Sequence, residues 1–194
     1  MKLLLKFYEP SEGKIEYGEH SLRDISHKAW RAYSGVVMQE GYIFNDTIAG
    51  NITLGNDVID EQRLLKSVKL ANIYEFIQSL PLGFNTKIGN EGIGVSTGQK
   101  QRIFIARALY KNPHFLFFDE ATSALDATNE SEIMENLDGV FKNKTVLIIA
   151  HRLSTVQNAD QIVVLEKGKI KEIGNHESLI AHGGAYFNLV KNQL

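Results

Sequence analysis

Apolar positions along this chain fall into two kinds of run, and their succession predicts an α/β protein. Short blocks of consecutive apolar residues, Gly35-Val36-Val37-Met38, Phe115-Leu116-Phe117-Phe118 and Thr145-Val146-Leu147-Ile148-Ile149, read as strands buried on both faces. Elsewhere apolar residues recur at helical spacing. Leu64, Leu65, Val68, Leu70 and Ile73 fit one helix face, as do Ile73, Phe76, Ile77 and Leu80 before Pro81 stops that helix. Ile103, Ala106, Leu109 and Tyr110 make a third such face, and Ile133, Leu137, Val140 and Phe141 a fourth. Lys2 to Tyr8 also predicts helix, with no breaker before Pro10, and a short helix is expected around Lys28 to Tyr33. Lys14 to Tyr17 alternates like a half-exposed strand. Near the end, Gln161 to Glu166 and Lys169 to Ile173 bracket Lys167-Gly168 as a hairpin, followed by helices over His176 to Ala181, capped by Asn175, and over Ala185 to Val190.

The strand runs share a second property: each delivers polar residues at its carboxyl end. The first leads to Gln39, the second to Asp119 and Glu120, the third to His151. In open parallel sheets ligands bind outside the carboxyl ends of the strands, so these side chains are expected to converge on one edge. Ser96-Thr97-Gly98-Gln99 has the S-x-x-Q form of a capping box at the start of the third helix. Backbone N–H groups and the positive dipole end there suit an anion, although an ordinary well-capped helix has the same form.

Composition narrows the chemistry mainly by exclusion. The chain has 194 residues, 43% apolar, with a formal charge of −2. That is enough for a sizeable core and offers no basic face for nucleic acid. Cysteine is absent, which removes disulfide frameworks and thiolate metal sites. His20, His27, His114, His176 and His182 are scattered without metal-ligand spacing and are expected at the surface. Trp30 and Tyr33 are expected to pack rather than to stack on a ligand. No apolar run approaches the ~20 residues that span a bilayer, so the chain is expected to be soluble by itself.

An acid at a strand end beside a phosphate is a natural Mg²⁺ anchor, because this ion takes oxygen ligands and keeps several waters. A following acid can orient or deprotonate an attacking water, a Gln can hold both metal and water, and a neutral His can donate to a γ-phosphate. Together these parts suit nucleotide hydrolysis.

From Met1 to Leu194 the chain resembles the nucleotide-binding domains of the ATP-binding-cassette (ABC) family, exporter type. Phe115 to Glu120 looks like its Walker B strand, Ser123-Ala124-Leu125-Asp126 like its D-loop, and Val95-Ser96-Thr97-Gly98-Gln99 like its signature motif. The resemblance implies a P-loop NTPase-like α/β core with a mostly parallel sheet and an inserted helical subdomain. Residues 1–44 and 108–194 would form the core lobe, and 45–107 the helical signature subdomain. It implies Asp119 and Gln39 for magnesium, with Glu120, His151 and Gln39 as catalytic groups. Ser96, Thr97, Gly98, Gln99 and Asp126 would act on ATP held across a head-to-tail dimer with a second nucleotide-binding domain. An exporter's transmembrane domain and the cytoplasmic face of a membrane, bacterial inner membranes included, follow from the same resemblance. Thr86 to Gly92 resembles the loop that marks exporters, T-x-V-G-x-x-G, with Ile88 for Val. That loop, and a compact helical lobe in place of a coiled coil, disfavour the DNA-repair cassettes.

Two departures stand out. The phosphate loop G-x-x-x-x-G-K-[ST] occurs nowhere: Gly13/Gly18, Gly50/Gly55 and Gly89/Gly94 have the separation, but Glu19-His20, Asn56-Asp57 and Val95-Ser96 follow them. The expectation is a chain that starts just after that loop, lacking the first strands and the adenine-stacking aromatic, with an exposed sheet edge. The alternative function is then a non-catalytic cassette that offers its signature face to an intact subunit. Thr97 also stands where the family usually has Gly, which implies a retuned signature.

Overall fold

The structure, a computed structural model, describes residues 1–55, 58–122, 125–150, 152 and 155–192. It divides into two units, Met1–Ile149 and Ala150–Leu194. The first begins with a departure from expectation, because Lys2–Tyr8 forms a single turn and no α-helix. The Leu5 N–H donates to Met1 C=O (3.1 Å), and then Lys6 adopts φ 58°. Around it the Lys6 and Phe7 N–H groups donate back to Leu3 and Lys2 carbonyls (3.1 and 3.0 Å), the Schellman stop. Seven residues are too few for propensity to sustain a helix. The Lys6 ammonium instead donates to the carbonyls of Leu22 (2.7 Å), Arg23 (3.2 Å) and Ile25. Those bonds fasten the turn to the chain ahead.

A small hairpin follows, β1 (Glu16–Tyr17) with β2 (His20–Ser21), then α1 (His27–Tyr33), capped by the Ser26 side chain. The central sheet has three strands, β3 (Ser34–Val37), β6 (Phe115–Asp119) and β7 (Thr145–Ile149), in the order β3-β6-β7 and all parallel. One face of β6 carries Phe115 and Phe117 against Trp30 and Tyr17, with the Trp30 indole N–H bonded to Leu4 C=O (2.8 Å). Leu5 and Leu22 complete that cluster. The expected packing role of Trp30 holds; Tyr33 instead is exposed, its ring beside His114.

Between β3 and β6 the chain is largely helical, as the periodicity predicts. β4 (Asp46–Thr47) leads into α2 (Ile48–Thr53), then α3 (Glu61–Leu70) and α4 (Tyr74–Gln78). β5 (Lys87–Ile88) returns antiparallel to β4. Here Gly89 takes φ +108° with its α-carbon against the 44–45 backbone, where a Cβ would lie 2.9 Å from the Asn45 Cα. The Gly-rich loop is thus pinned to the stretch that follows Gln39. Helix α5 (Thr97–Tyr110) comes next, and it is more deeply buried than a one-sided amphipathic helix. Phe104, Ile105 and Ala108 are buried along with the expected Ile103, Ala106, Leu109 and Tyr110. It packs with Leu64, Val68, Ile48, Ile52 and Leu116 in the main core. Helix α6 (Ala127–Phe141) adds Ile133 and Leu137, both fully buried.

β7 departs from the expectation of a strand buried on both faces. Its exposure alternates, leaving Leu147 and Ile149 each 37% exposed. Among the described residues its one ladder partner is β6.

The second unit is a hairpin covered by two helices: β8 (Ile162–Glu166), β9 (Lys169–Gly174), α7 (His176–His182) and α8 (Ala185–Lys191). Ile162 and Val164 face Leu179, Tyr186 and Val190. Register moves from Val164↔Glu172 to Leu165↔Ile170, so Lys171 is an extra residue in a bulge. The bulge puts Ile170 and Ile173 on one face with Leu165 and Val163, all four exposed. The Glu172 carboxylate accepts the Ala185 and Tyr186 N–H groups (2.6 and 2.9 Å), capping α8 where Gly184 has no side chain to do so. Those amides hold its carboxyl below the ordinary glutamate value.

Trp30 is the chain's one tryptophan and reports on the first unit. Leu116 is fully buried whereas Leu82 is 66% exposed. Leu116→Ala should cost about 2–5 kcal/mol and Leu82→Ala under about 0.5 kcal/mol, measured by denaturant unfolding followed through Trp30 fluorescence.

Candidate functional site

Ladder register aligns the polar strand ends. Val37 pairs with Phe118, and Phe118 with Ile148. Gln39 lies two residues past Val37 and Glu120 two past Phe118, so both follow the carboxyl ends of neighbouring, register-paired strands. Asp119, the last residue of β6, pairs with Ile149. Asp119 thus ends β6, Glu120 follows it, and Gln39 follows the neighbouring parallel strand β3. His151 lies outside the described residues, as do Ser123 and Ala124 of the D-loop-like stretch.

Glu120 is held in an unusual conformation. Its φ is +50°, in the left-handed region that a residue with a Cβ enters at a cost of roughly 1 kcal/mol. The strand bends sharply there, yet the Glu120 N–H still donates to Ile149 C=O (2.9 Å). From the other side the Gln101 amide of α5 donates to Glu120 C=O (3.4 Å). Backbone strain of this kind persists where surrounding contacts over-determine it, and it concentrates at functional positions.

The start of α5 has the form its sequence predicts. The Ser96 hydroxyl accepts the Gln99 N–H (3.2 Å), and the Gln99 side chain accepts the Ser96 N–H (2.8 Å). Those two bonds satisfy the N-cap and third-position amides. The Thr97 and Gly98 amides have no intrahelical acceptor available and point out of the helix end. Ser96 and Thr97 are exposed, and Gly98 and Gln99 half-buried.

Asp126 caps α6. One carboxylate oxygen accepts the Asn129 N–H (3.0 Å) and the other its side-chain amide (2.6 Å). These bonds hold the carboxyl below its ordinary value. Just before it, the buried Thr122 hydroxyl donates to the buried Glu130 carboxylate (2.6 Å), which ties the loop after Glu120 to α6.

Among the described residues no group of three or more His, Cys, Asp or Glu gathers to hold a metal ion. What the edge offers is the Asp119 carboxylate, with Glu120 after it and Gln39 following the neighbouring strand. That donor set fits Mg²⁺, which takes one or two protein oxygens and otherwise water and phosphate.

Motif reading missed Gln101, Arg107, Asn51 and Glu130, which buttress the site. Gln101 is 3% exposed and Asn51 fully buried. A polar residue at a helix position that should be apolar was the available signal, since such groups must find partners.

The ABC transporter family model matches residues 1–123. The chain is 47% identical over 192 residues to ABC transporter B family member 4 of Dictyostelium discoideum, covering 99% of this chain and 25% of that protein. It is 45% identical over 193 residues to an ATP-dependent lipid A-core flippase of Saccharophagus degradans, covering all of this chain and 33% of that one. A solved bacterial Atm1-family ABC exporter with ATP bound superposes with a TM-score of 0.93 at 40% identity, over 99% of this chain and 34% of that chain. The chain thus spans between a quarter and about a third of these relatives, and it belongs to the ABC transporter family.

The Asp126 shift has a defined sign. Its pKa is depressed on folding, so its contribution is complete above the ordinary carboxylate range and is lost as pH falls through the folded value. Exchange of the Asn129 amide should therefore quicken below about pH 4, and Asp126→Asn should abolish that pH dependence. Nuclear magnetic resonance of that amide checks both.

Proposed function

We propose that this member of the ABC transporter family is the ATP-hydrolysing portion of an exporter, working through a head-to-tail dimer of nucleotide-binding domains. The observation that supports the reading is that Asp119 ends β6, Glu120 follows it, and Gln39 follows the neighbouring parallel strand β3, all at the carboxyl side of one sheet. Family membership adds the nucleotide, and the exporter relatives add the direction of transport.

In this reading Asp119, with the Gln39 amide, holds Mg²⁺. Glu120 accepts the proton of the attacking water, and its left-handed backbone turns the carboxylate away from the direction β6 would otherwise give it. Gln39 orients the same water. Bound Mg²⁺ neutralises charge that develops on the phosphates. The Thr97 and Gly98 amides at the α5 end donate to the γ-phosphate of ATP held by the opposite subunit, and Asp126 sits beside that contact. His151 is proposed as a γ-phosphate donor on motif grounds alone. A transmembrane domain supplies the pathway, since no helix among the described residues is long and apolar enough to cross a membrane.

A second reading has its own support. The sequence holds no phosphate-loop lysine, and β7 and the β8–β9 hairpin each leave apolar side chains uncovered. The chain would then lend its signature end to an intact subunit and hydrolyse nothing itself.

Glu120→Gln, in the transporter that carries this chain, should lower ATP hydrolysis by about 10²-fold or more with MgATP binding retained. Full activity would assign catalysis elsewhere and leave the second reading. Thr97→Gly should change the ATPase rate of that assembly, and an unchanged rate would remove the retuned signature.

A further inference from the structure

The stretch directly after Gln39 is irregular and exposed, yet it is anchored from beneath by two polar residues. Asn51, on α2, is fully buried. Its side-chain oxygen accepts the Phe44 N–H (2.8 Å), and its amide donates to the carbonyls of Phe44 (3.0 Å), Asp46 (3.4 Å) and Thr47 (3.0 Å). Arg107, on α5, reaches the same place. Its Nε donates to Asn51 C=O (2.8 Å), and both terminal nitrogens donate to Tyr42 C=O (3.1 Å each). One of them also meets the Asn51 side-chain oxygen (3.3 Å).

Packing repeats the hydrogen-bond pattern. The guanidinium lies between the rings of Phe44 and Phe104, 5.3 and 5.2 Å from their centroids. Gly41 rests directly on Phe104, where an added Cβ would come within 2.5 Å of the ring. Burial lowers the Arg107 pKa to about 10, so the group remains charged at neutral pH. A half-buried guanidinium with four donor bonds to backbone and amide oxygens is strongly restrained in its geometry.

We propose that Arg107 and Asn51 are positioning residues that clamp the loop after Gln39 onto α5, fixing Gln39 relative to the helix that begins at Ser96. The clamp is local, polar and made through backbone carbonyls, so its effect is on where the loop sits more than on whether the chain folds. Its significance for nucleotide chemistry rests on the reading above, but its existence does not. Lysine cannot replace the guanidinium, because a single ammonium cannot bond the carbonyls of Tyr42 and Asn51 in the same fork.

The test uses the full chain without nucleotide. Because the sequence has no cysteine, Glu40→Cys carries a single nitroxide next to Gln39. In that background Arg107→Lys should raise hydrogen exchange across residues 42–47 by roughly tenfold and sharpen the nitroxide spectrum. Exchange in β6 and β7 should stay unchanged. Gly41→Ala removes no hydrogen-bonding group but pushes the loop and the Phe104 ring apart, and should raise the same two signals by a smaller factor, which keeps the test open if Arg107→Lys fails to fold. Unchanged loop exchange and an unchanged spectrum in the variants that fold would overturn the clamp. So would acceleration spread evenly over β6, β7 and the loop, which marks a loss of global stability only. No arm contains ATP, so failure here is separate from failure of the ATPase reading, which the Glu120→Gln assay addresses.

Discussion

Helix α5 has to be buried on most of its circumference, and the first unit is arranged by how that burial is satisfied. Eight of its fourteen residues are buried, from Gln101 to Tyr110. Its apolar positions receive α2, α3 and the sheet. Its buried Gln101 must be met inside, and the half-buried Arg107 is met by protein oxygens as well. Gln101 is met by the Glu120 carbonyl, and Arg107 by Asn51 and the Tyr42 carbonyl. The capped start of α5 at Ser96 is exposed and left open to an outside ligand. A single buried helix thereby fixes the backbone of Glu120, the loop after Gln39 and an anion-suited helix end together.

Much of this was legible locally. The apolar runs ending at Met38, Phe118 and Ile149 correspond to β3, β6 and β7, and the S-x-x-Q spacing at Ser96 gives the capping box observed. The hairpin turning at Lys167-Gly168 also follows from near neighbours in sequence, whereas the Asp126 cap was not read from it. Failures occurred where distant partners decide. Lys2–Tyr8 has helical propensity, but Lys6 finds its carbonyls sixteen to nineteen residues away. The apolar content of β7 says nothing about whether a second strand covers its outer edge. Nothing near Arg107 in sequence announces a contact with Tyr42, sixty-five residues earlier. The roles assigned to Gln39, Asp119, Glu120, Ser96 and Asp126 remain readings of position and chemistry, and His151 falls outside the described residues.

The account that joins these parts is one of divided labour. Carboxylates, an amide and a helix end suited to phosphate are all present in the first unit. The nested backbone amides and lysine that cradle a triphosphate are not encoded anywhere in the sequence. Charge stabilisation at the γ-phosphate is of little use without that cradle, because phosphoryl transfer depends on positioning before anything else. We therefore propose that the catalytic and signature groups of these 194 residues serve a nucleotide site whose triphosphate they do not hold tightly by themselves. Calorimetric titration of the chain alone with MgATP tests that claim most directly. The account predicts no saturable binding in the micromolar range, and micromolar affinity for MgATP would contradict it.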